Sequence, residues 1–194
     1  MRRQTFDLLV SWVGVLLTVL LVVAGGVLFV GYKYADNNVT EQLGSQRIFF
    51  PEAGSEALAD PEIGPYLNKY AGQQLVNGAQ AKAYADHFIA VHLKAASGGM
   101  TYAEASAASR ADPENQELAG QVQTLFRGET LRGLLLNAYA FWVFGQIALW
   151  SAIGAWAAAL IMAVLTVLGF THMRRVTPDV EIGVPKRDSV AVTA

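Results

Sequence analysis

The last third of the chain contains a run of 39 residues, from Gly133 to Thr171, without a single charged side chain. As one α-helix this run would be about 58 Å long, whereas the hydrocarbon core of a bilayer is about 30 Å thick. About 20 residues suffice for one crossing, and counting back from the end of the run puts the outer boundary near Trp150. We therefore predict a transmembrane helix over 150–171 and an apolar helix extension above the membrane over 133–149.

A second apolar block lies near the N-terminus, from Leu8 to Val30, and contains 23 residues without a charge or a proline. A helix of about 33 Å matches one membrane crossing, so residues 8–30 predict the first transmembrane helix. A signal peptide is the competing interpretation, because Met1-Arg2-Arg3 resembles the start of one. The apolar core is too long for that, and no small-residue cleavage site follows it, so an uncleaved anchor is favoured.

The charges beside the two blocks predict the orientation of the chain in the cell membrane. Paired arginines stand at positions 2–3 and 174–175, so the N-terminus (1–7) and the tail (172–194) are expected in the cytoplasm. The middle region, 31–132, then lies outside the cytoplasm. It carries 12 acidic and 8 basic side chains, a balance that agrees with this placement.

The chain has no cysteine. Outside the cytoplasm this excludes a disulfide framework, a lipoprotein anchor and a covalently attached c-type haem. The middle region must therefore be held together by packing alone or by a partner.

The middle region predicts short helices between clear breaks, so the fold class is an all-α membrane protein with two transmembrane helices and an extracytoplasmic helical segment. Apolar residues recur at helical spacing from about position 79 to 96. Thr101 and Glu104 form a capping-box pattern that opens a short helix. Asp112 before Pro113 predicts the start of a last helix that runs into the membrane, whereas residues 39–77 predict irregular structure.

The extension over 133–149 is apolar on nearly every side, and a helix of that kind is buried on every side. The middle region is too small to cover all of it, which predicts a partner protein. An exposed Ile-Phe-Phe patch is expected to dock as well. The alternative is a helix that is strongly tilted, or kinked at Gly145 or Gly154, and lies partly in the membrane interface. The expected partner-interface residues are Ile48, Phe49, Phe50, Leu134, Phe141, Trp142, Phe144 and Trp150.

Small residues recur at a spacing of four in the second transmembrane helix, a pattern that lets helix backbones approach closely in lipid. The simplest interpretation is that the two spans pair with each other. Additional small and aromatic faces would suit a larger bundle. The expected helix-packing residues are Ala148, Ala152, Gly154, Ala155, Ala158 and Ala159.

Residues for catalysis or metal binding are scarce. His87 and His92 are five positions apart, which on an α-helix separates them by about 140°. With Asp86 they would make a poor two-His-one-carboxylate iron site, so an iron dioxygenase is only a remote alternative. We expect His92 to pack beside Phe88 and His87 to be exposed. No catalytic, cofactor-binding or metal-ligating residues are predicted, and neither a small-molecule substrate nor a nucleic acid is expected.

The motif GGMTYAE, from Gly98 to Glu104, and the turn LRGLL, from Leu131 to Leu135, carry a resemblance to a known family. The chain resembles small actinobacterial two-span membrane proteins, some of which are labelled aromatic ring-opening dioxygenases. In mass and architecture it is similar to an accessory subunit of the actinobacterial cytochrome bcc–aa3 respiratory supercomplex. The resemblance implies a non-catalytic subunit that contacts integral membrane subunits and lipids. Haem, copper and menaquinone would then be held by the partners. A free-standing membrane-anchored adaptor or assembly factor is the alternative.

Overall fold

The computed structural model describes residues 3–175, so residues 1–2 and most of the expected cytoplasmic tail lie outside the described part. Within it the chain is helical, without a strand, and only one isolated bridge pairs Phe49 with Gln74. The helices are α1 (Arg3–Ser45), α2 (Glu56–Ala59), α3 (Gly64–Leu67), α4 (Gly78–Tyr84), α5 (Ala90–Ala96), α6 (Tyr102–Ala111) and α7 (Gln116–Met173). A 3₁₀ turn (Asn68–Tyr70) follows α3, and a π-helical turn (Ala85–Ile89) joins α4 to α5.

The two long helices, α1 and α7, are long and apolar enough to cross a membrane, judged by length and composition. Only 11% of the most apolar stretch of each is buried by the rest of the chain. The core helix of a water-soluble protein would instead be mostly covered. The apolar surface of these two helices is therefore compatible with a lipid environment.

Helix α1 continues well beyond the apolar block that predicts its membrane span. Irregular structure was expected from residue 39, but the helix ends only at Ser45. The reason is the spacing of Ala35, Val39 and Leu43, which recur every four residues and are all buried. The polar residues between them belong to the exposed side of an amphipathic helix.

Helix α7 begins at Gln116, not at Pro113, and runs for 58 residues without interruption. The predicted N-cap, Asp112, instead ends α6. Asn115 caps α7, because its side-chain oxygen accepts a hydrogen bond from the backbone N–H of Leu118 at 3.2 Å. Neither glycine proposed as a kink, Gly145 or Gly154, breaks the helix.

The helix expected near residues 79–96 is confirmed, with a π-helical turn inside it. Its buried hydrophobic residues, Ala81, Ala85, Ile89 and Leu93, recur every four positions. An ideal α-helix would rotate such a row away from the core by about 40° at each step, and the wider π turn offsets part of that drift. The capping box of Thr101 and Glu104 is also confirmed, with hydrogen bonds in both directions.

The chain divides into two units. One contains residues 30–148 and is called the helical unit below; the other contains the described residues up to 29 and from 149 onward and is called the apolar unit. In the helical unit, the first part of α7 and the end of α1 pack with the short helices around one core. Its most buried large side chains are Leu67, Leu75 and Leu135.

In the apolar unit, α1 and α7 pack closely through small residues. A Cβ atom added at Gly14 would lie 2.3 Å from Oγ1 of Thr166, and one at Gly25 would lie 2.4 Å from Nε1 of Trp156. These separations are shorter than any van der Waals contact, so a side chain at either position would force Thr166 or Trp156 to move. Among the residues expected to pack, Ala152 and Ala159 are buried, Ala155 and Ala158 are partly buried, and Ala148, at the edge of the helical unit, is partly buried too. Gly154 is exposed, with no other side chain near it.

Candidate partner-docking site

The Ile-Phe-Phe patch has one outward-facing residue, not three. The segment is extended and pairs with the chain near Gln74, so its side chains alternate between the inside and the outside. Phe50 is only 2% exposed and packs against Tyr70 and Tyr84, with ring centroids 5.1 and 5.4 Å apart. The expectation that Phe50 contacts a partner is therefore corrected. Ile48 is half-buried against the core, and Phe49 is exposed.

Trp142 also packs inside the helical unit. It is partly buried and lies over Gly78 at the start of α4, where an added Cβ would come within 2.4 Å of the Trp142 Cβ atom. Glycine at position 78 thus lets α4 approach α7 closely. Part of the Trp142 side chain remains exposed, so contact between Trp142 and a partner stays a prediction.

The other predicted residues of the extension face outward. In the helical unit, Leu134, Phe141 and Phe144 are 60, 39 and 69% exposed. Ile147, which was not among the predicted residues, continues the row at 56%. At 100° per residue these four side chains lie on one side of α7, within about 140° of arc. We call them the apolar stripe. Trp150 is exposed as well and belongs to the apolar unit.

The opposite side of the same stretch of α7 is covered by the chain's own helices. A Cβ added at Gly145 would lie 3.0 Å from Cβ of Ala35, which marks the close approach of α1. Trp142 meets α4, and just before the extension Gly128 meets Leu93 of α5. Residues 3–175 thus shield one side of the apolar helix extension and leave the apolar stripe uncovered.

A groove of about 280 Å³ runs between α1 and α7 beside the apolar stripe. Its floor is apolar, and carboxamide side chains from both helices form its rim. We call it the carboxamide groove. The lining residues are Asn38, Val39, Gln42, Leu43 and Gln46 on one side and Leu134, Leu135, Asn137, Ala138 and Phe141 on the other.

The α1 side of this groove was missed at the level of sequence, because irregular structure was predicted there. The four-residue spacing of Ala35, Val39 and Leu43 is the signal that could have revealed it.

An ion-pair cluster lies where α7 enters its uncharged run. The Asp86 carboxylate pairs with Lys82 on its own helix and with Arg132 of α7, the latter at 3.3 Å. Burial raises the pKa of Asp86, but the hydrogen bonds and charges of Lys82 and Arg132 outweigh this, so its pKa lies below the usual value. The cluster connects α4 and the π turn to α7 at Arg132, the last charged residue before the apolar extension.

Replacing Asp86 by asparagine is expected to destabilise the helical unit by about 1–2 kcal/mol near neutral pH, since Lys82 and Arg132 both lose their ion pair with Asp86. Arg132 keeps its ion pair with Glu129 at 3.4 Å. Because the folded-state pKa is lowered, the wild-type contribution is complete above the usual pKa of 3.8 and is lost as pH falls through the folded value. Thermal unfolding of the full chain in detergent, followed by near-ultraviolet circular dichroism, measures this. The exposed Glu114, replaced by glutamine, is the control. An equal loss in both variants would contradict the assigned role of Asp86.

The two histidines do not form a metal site. His87 stacks on Tyr66, with ring centroids 3.6 Å apart and planes 4° from parallel. It is partly buried, and not exposed as expected. The Nδ1 atom of His92 lies 2.7 Å from the carbonyl oxygen of Phe88, and the two rings are in contact, although His92 remains exposed on its other side. Among residues 3–175 no group of three or more histidine, cysteine, aspartate or glutamate side chains could hold a metal ion.

Comparison with protein-family models, with curated proteins and with solved structures gives no significant match to this chain. Its function must therefore be inferred from its own geometry and chemistry.

Proposed function

We propose that the chain is a non-catalytic accessory subunit of a larger membrane assembly in the cell membrane. Helices α1 and α7 anchor it, both termini lie in the cytoplasm, and residues 31–132 lie outside. The arginines at positions 2–3 and 174–175 support this orientation, because basic residues next to a span favour the cytoplasmic side. The function itself is docking: the subunit fits against partner subunits through the apolar stripe.

The exposure of the apolar stripe carries this proposal. Full burial of one leucine, isoleucine or phenylalanine side chain is worth about 1.5–3 kcal/mol, so covering four of them would stabilise a complex substantially. Lipid is a poor cover for the whole row, because Leu134 precedes Trp150 by 16 positions, or about 24 Å of helix. Exposed patches of this kind mark interaction sites in proteins.

The resemblance to small actinobacterial two-span proteins suggests which assembly this is. We infer a respiratory supercomplex in which a cytochrome bcc complex joins a cytochrome aa3 oxidase. The chain would hold no cofactor of its own, and haem, copper and menaquinone would belong to its partners. Its other contacts would be with membrane lipids.

Purification of the tagged full chain in a mild detergent tests the proposal. We expect haem-containing membrane subunits to co-elute with the chain in a fixed ratio, and the chain to migrate as part of a large particle on a native gel. A chain that migrates alone would overturn the proposal and favour the membrane-anchored adaptor. Stoichiometric iron in the isolated chain would instead support the dioxygenase.

A further inference from the structure

We propose that the carboxamide groove binds an extended, uncharged polypeptide segment of a partner subunit. This inference rests on the proposed function and deepens it, because it specifies the chemistry of the partner. The groove lies between the outer part of α1 and α7, entirely within the helical unit.

The lining of the groove disfavours a charged ligand. None of its ten residues is ionisable. Its floor is formed by Val39, Leu43 and Leu135, which are almost fully covered by the chain's own packing. Leu134, Ala138 and Phe141 add apolar walls that an occupant can contact. A charged group placed there would lose its hydration without gaining an ionic partner, which is costly. The occupant is therefore apolar on the side that meets the floor.

The rim of the groove matches the backbone of an extended peptide. Asn38 and Gln42 are four positions apart on α1, a rise of about 6 Å, whereas equivalent backbone groups of an extended chain recur every two residues, about 6.6 Å. A carboxamide both donates and accepts hydrogen bonds, as a peptide group does. The row is already ordered, because Nε2 of Gln42 donates to Oδ1 of Asn38 at 2.9 Å. Asn137 adds a further carboxamide from α7.

A helix or a lipid would use these groups less well. The backbone of an α-helix is hydrogen-bonded internally, so it would leave the carboxamides of Asn38 and Gln42 without backbone partners. Asn38 stands eight positions beyond Val30, where the apolar block of α1 ends, or about 12 Å along the helix. Acyl chains of the bilayer would have to leave the hydrocarbon core to reach it.

The groove and the apolar stripe share Leu134 and Phe141. A segment bound in the groove would cover one edge of both side chains, and the partner surface beyond it would meet Phe144 and Ile147. The two features thus form one continuous docking surface.

Short-range photo-crosslinking tests the shape of the occupant. A small diazirine-bearing residue is placed at position 38 or 42 of the full chain in native membranes, and the adducts are mapped by mass spectrometry. We expect both positions to react with one partner segment free of charged residues, at sites about two residues apart. Sites four apart would indicate a helix. A crosslinked partner segment that is helical would overturn the inference, and so would an adduct with lipid or with a second copy of this chain. The inference also fails if positions 38 and 42 give no adduct while the same residue at position 144 does. Position 41, on the exposed side of α1, is the control.

Charge substitutions test the chemistry of the groove. Gln42→Glu and Gln42→Lys are both expected to lower the yield of co-purified partner on the order of tenfold, since neither charge finds a partner in the groove. Thr40→Glu, which adds a charge on an exposed neighbouring position, should leave the yield unchanged. A Gln42→Lys variant that binds as wild type or better would overturn the inference. If wild-type chain brings down no membrane subunit at all, the proposed function fails and the groove inference fails with it. If wild-type chain does bring down membrane subunits and the Gln42 variants bring down as much, only the groove inference fails.

Discussion

Replacing Phe144 by aspartate is expected to release the chain from its assembly while the chain itself stays folded. Phe144 is the most exposed member of the apolar stripe, at 69%, so the fold of the chain depends little on this side chain. In the assembly the aspartate would place an unpaired charge in an apolar contact. A central aromatic anchor is worth at least about 2 kcal/mol, which corresponds to roughly thirtyfold weaker binding. Co-purification of partner subunits in mild detergent measures the loss.

The matched control is Phe126→Asp. Phe126 lies on the same helix and in the same unit, is 56% exposed, and stands outside the apolar stripe. We expect this variant to retain its partners. Full recovery of partners by the Phe144 variant, or equal loss in both variants, would mean that the docking surface is misassigned.

Replacing Gly25 by leucine is expected to disrupt the pairing of α1 and α7 in the apolar unit. A Cβ at this position would lie 2.4 Å from Nε1 of Trp156, the atom that donates a hydrogen bond to the carbonyl oxygen of Val22 at 3.4 Å. The indole would have to move, and it also packs against Phe29. Overpacking of this kind costs about 1–3 kcal/mol. Unfolding of the full chain by sodium dodecyl sulfate, titrated into a mild detergent, measures the change.

The neighbouring glycine provides the control. Within the described part of the chain, a Cβ added at Gly26 meets no neighbour within 4 Å, so Gly26→Leu introduces the same side chain at a position without the close contact of Gly25. This variant is expected to be as stable as wild type or slightly more stable, because leucine is a better helix former than glycine. If both variants unfold at the same detergent concentration, the close contact between Gly25 and Trp156 does not hold the two helices together.

The sequence predicts the apolar spans, the helix near residues 79–96 and the capping box, because each depends on local composition or spacing. It misplaces the end of α1, since the polar residues after Lys33 hide the row formed by Ala35, Val39 and Leu43. The start of α7 was missed for a different reason. Asp112 and Asn115 are both good caps, and the choice between them depends on how far α6 extends.

The candidate site is only partly accessible to sequence reasoning. Trp142 and Phe144 are two positions apart in an apolar helix, and nothing local distinguishes the partly buried Trp142 from the exposed Phe144. The difference arises from Gly78, 64 positions earlier, whose missing side chain makes room for Trp142. Phe50 is likewise covered by Tyr70 and Tyr84, which approach it only in the folded chain. Which apolar residues remain for a partner is therefore a property of tertiary packing.

Cysteine labelling in native membranes tests most directly whether a partner covers the apolar stripe. The chain has no cysteine, so Ala140→Cys, an exposed position between the stripe residues, introduces a single reactive thiol. The exposed Ala107, replaced by cysteine, serves as the reference. We expect a membrane-impermeant maleimide added from outside to label position 107 quickly and position 140 slowly, and both quickly once the assembly is dissociated. Equally fast labelling of both positions in intact membranes would show that the stripe is uncovered and would contradict the proposed role.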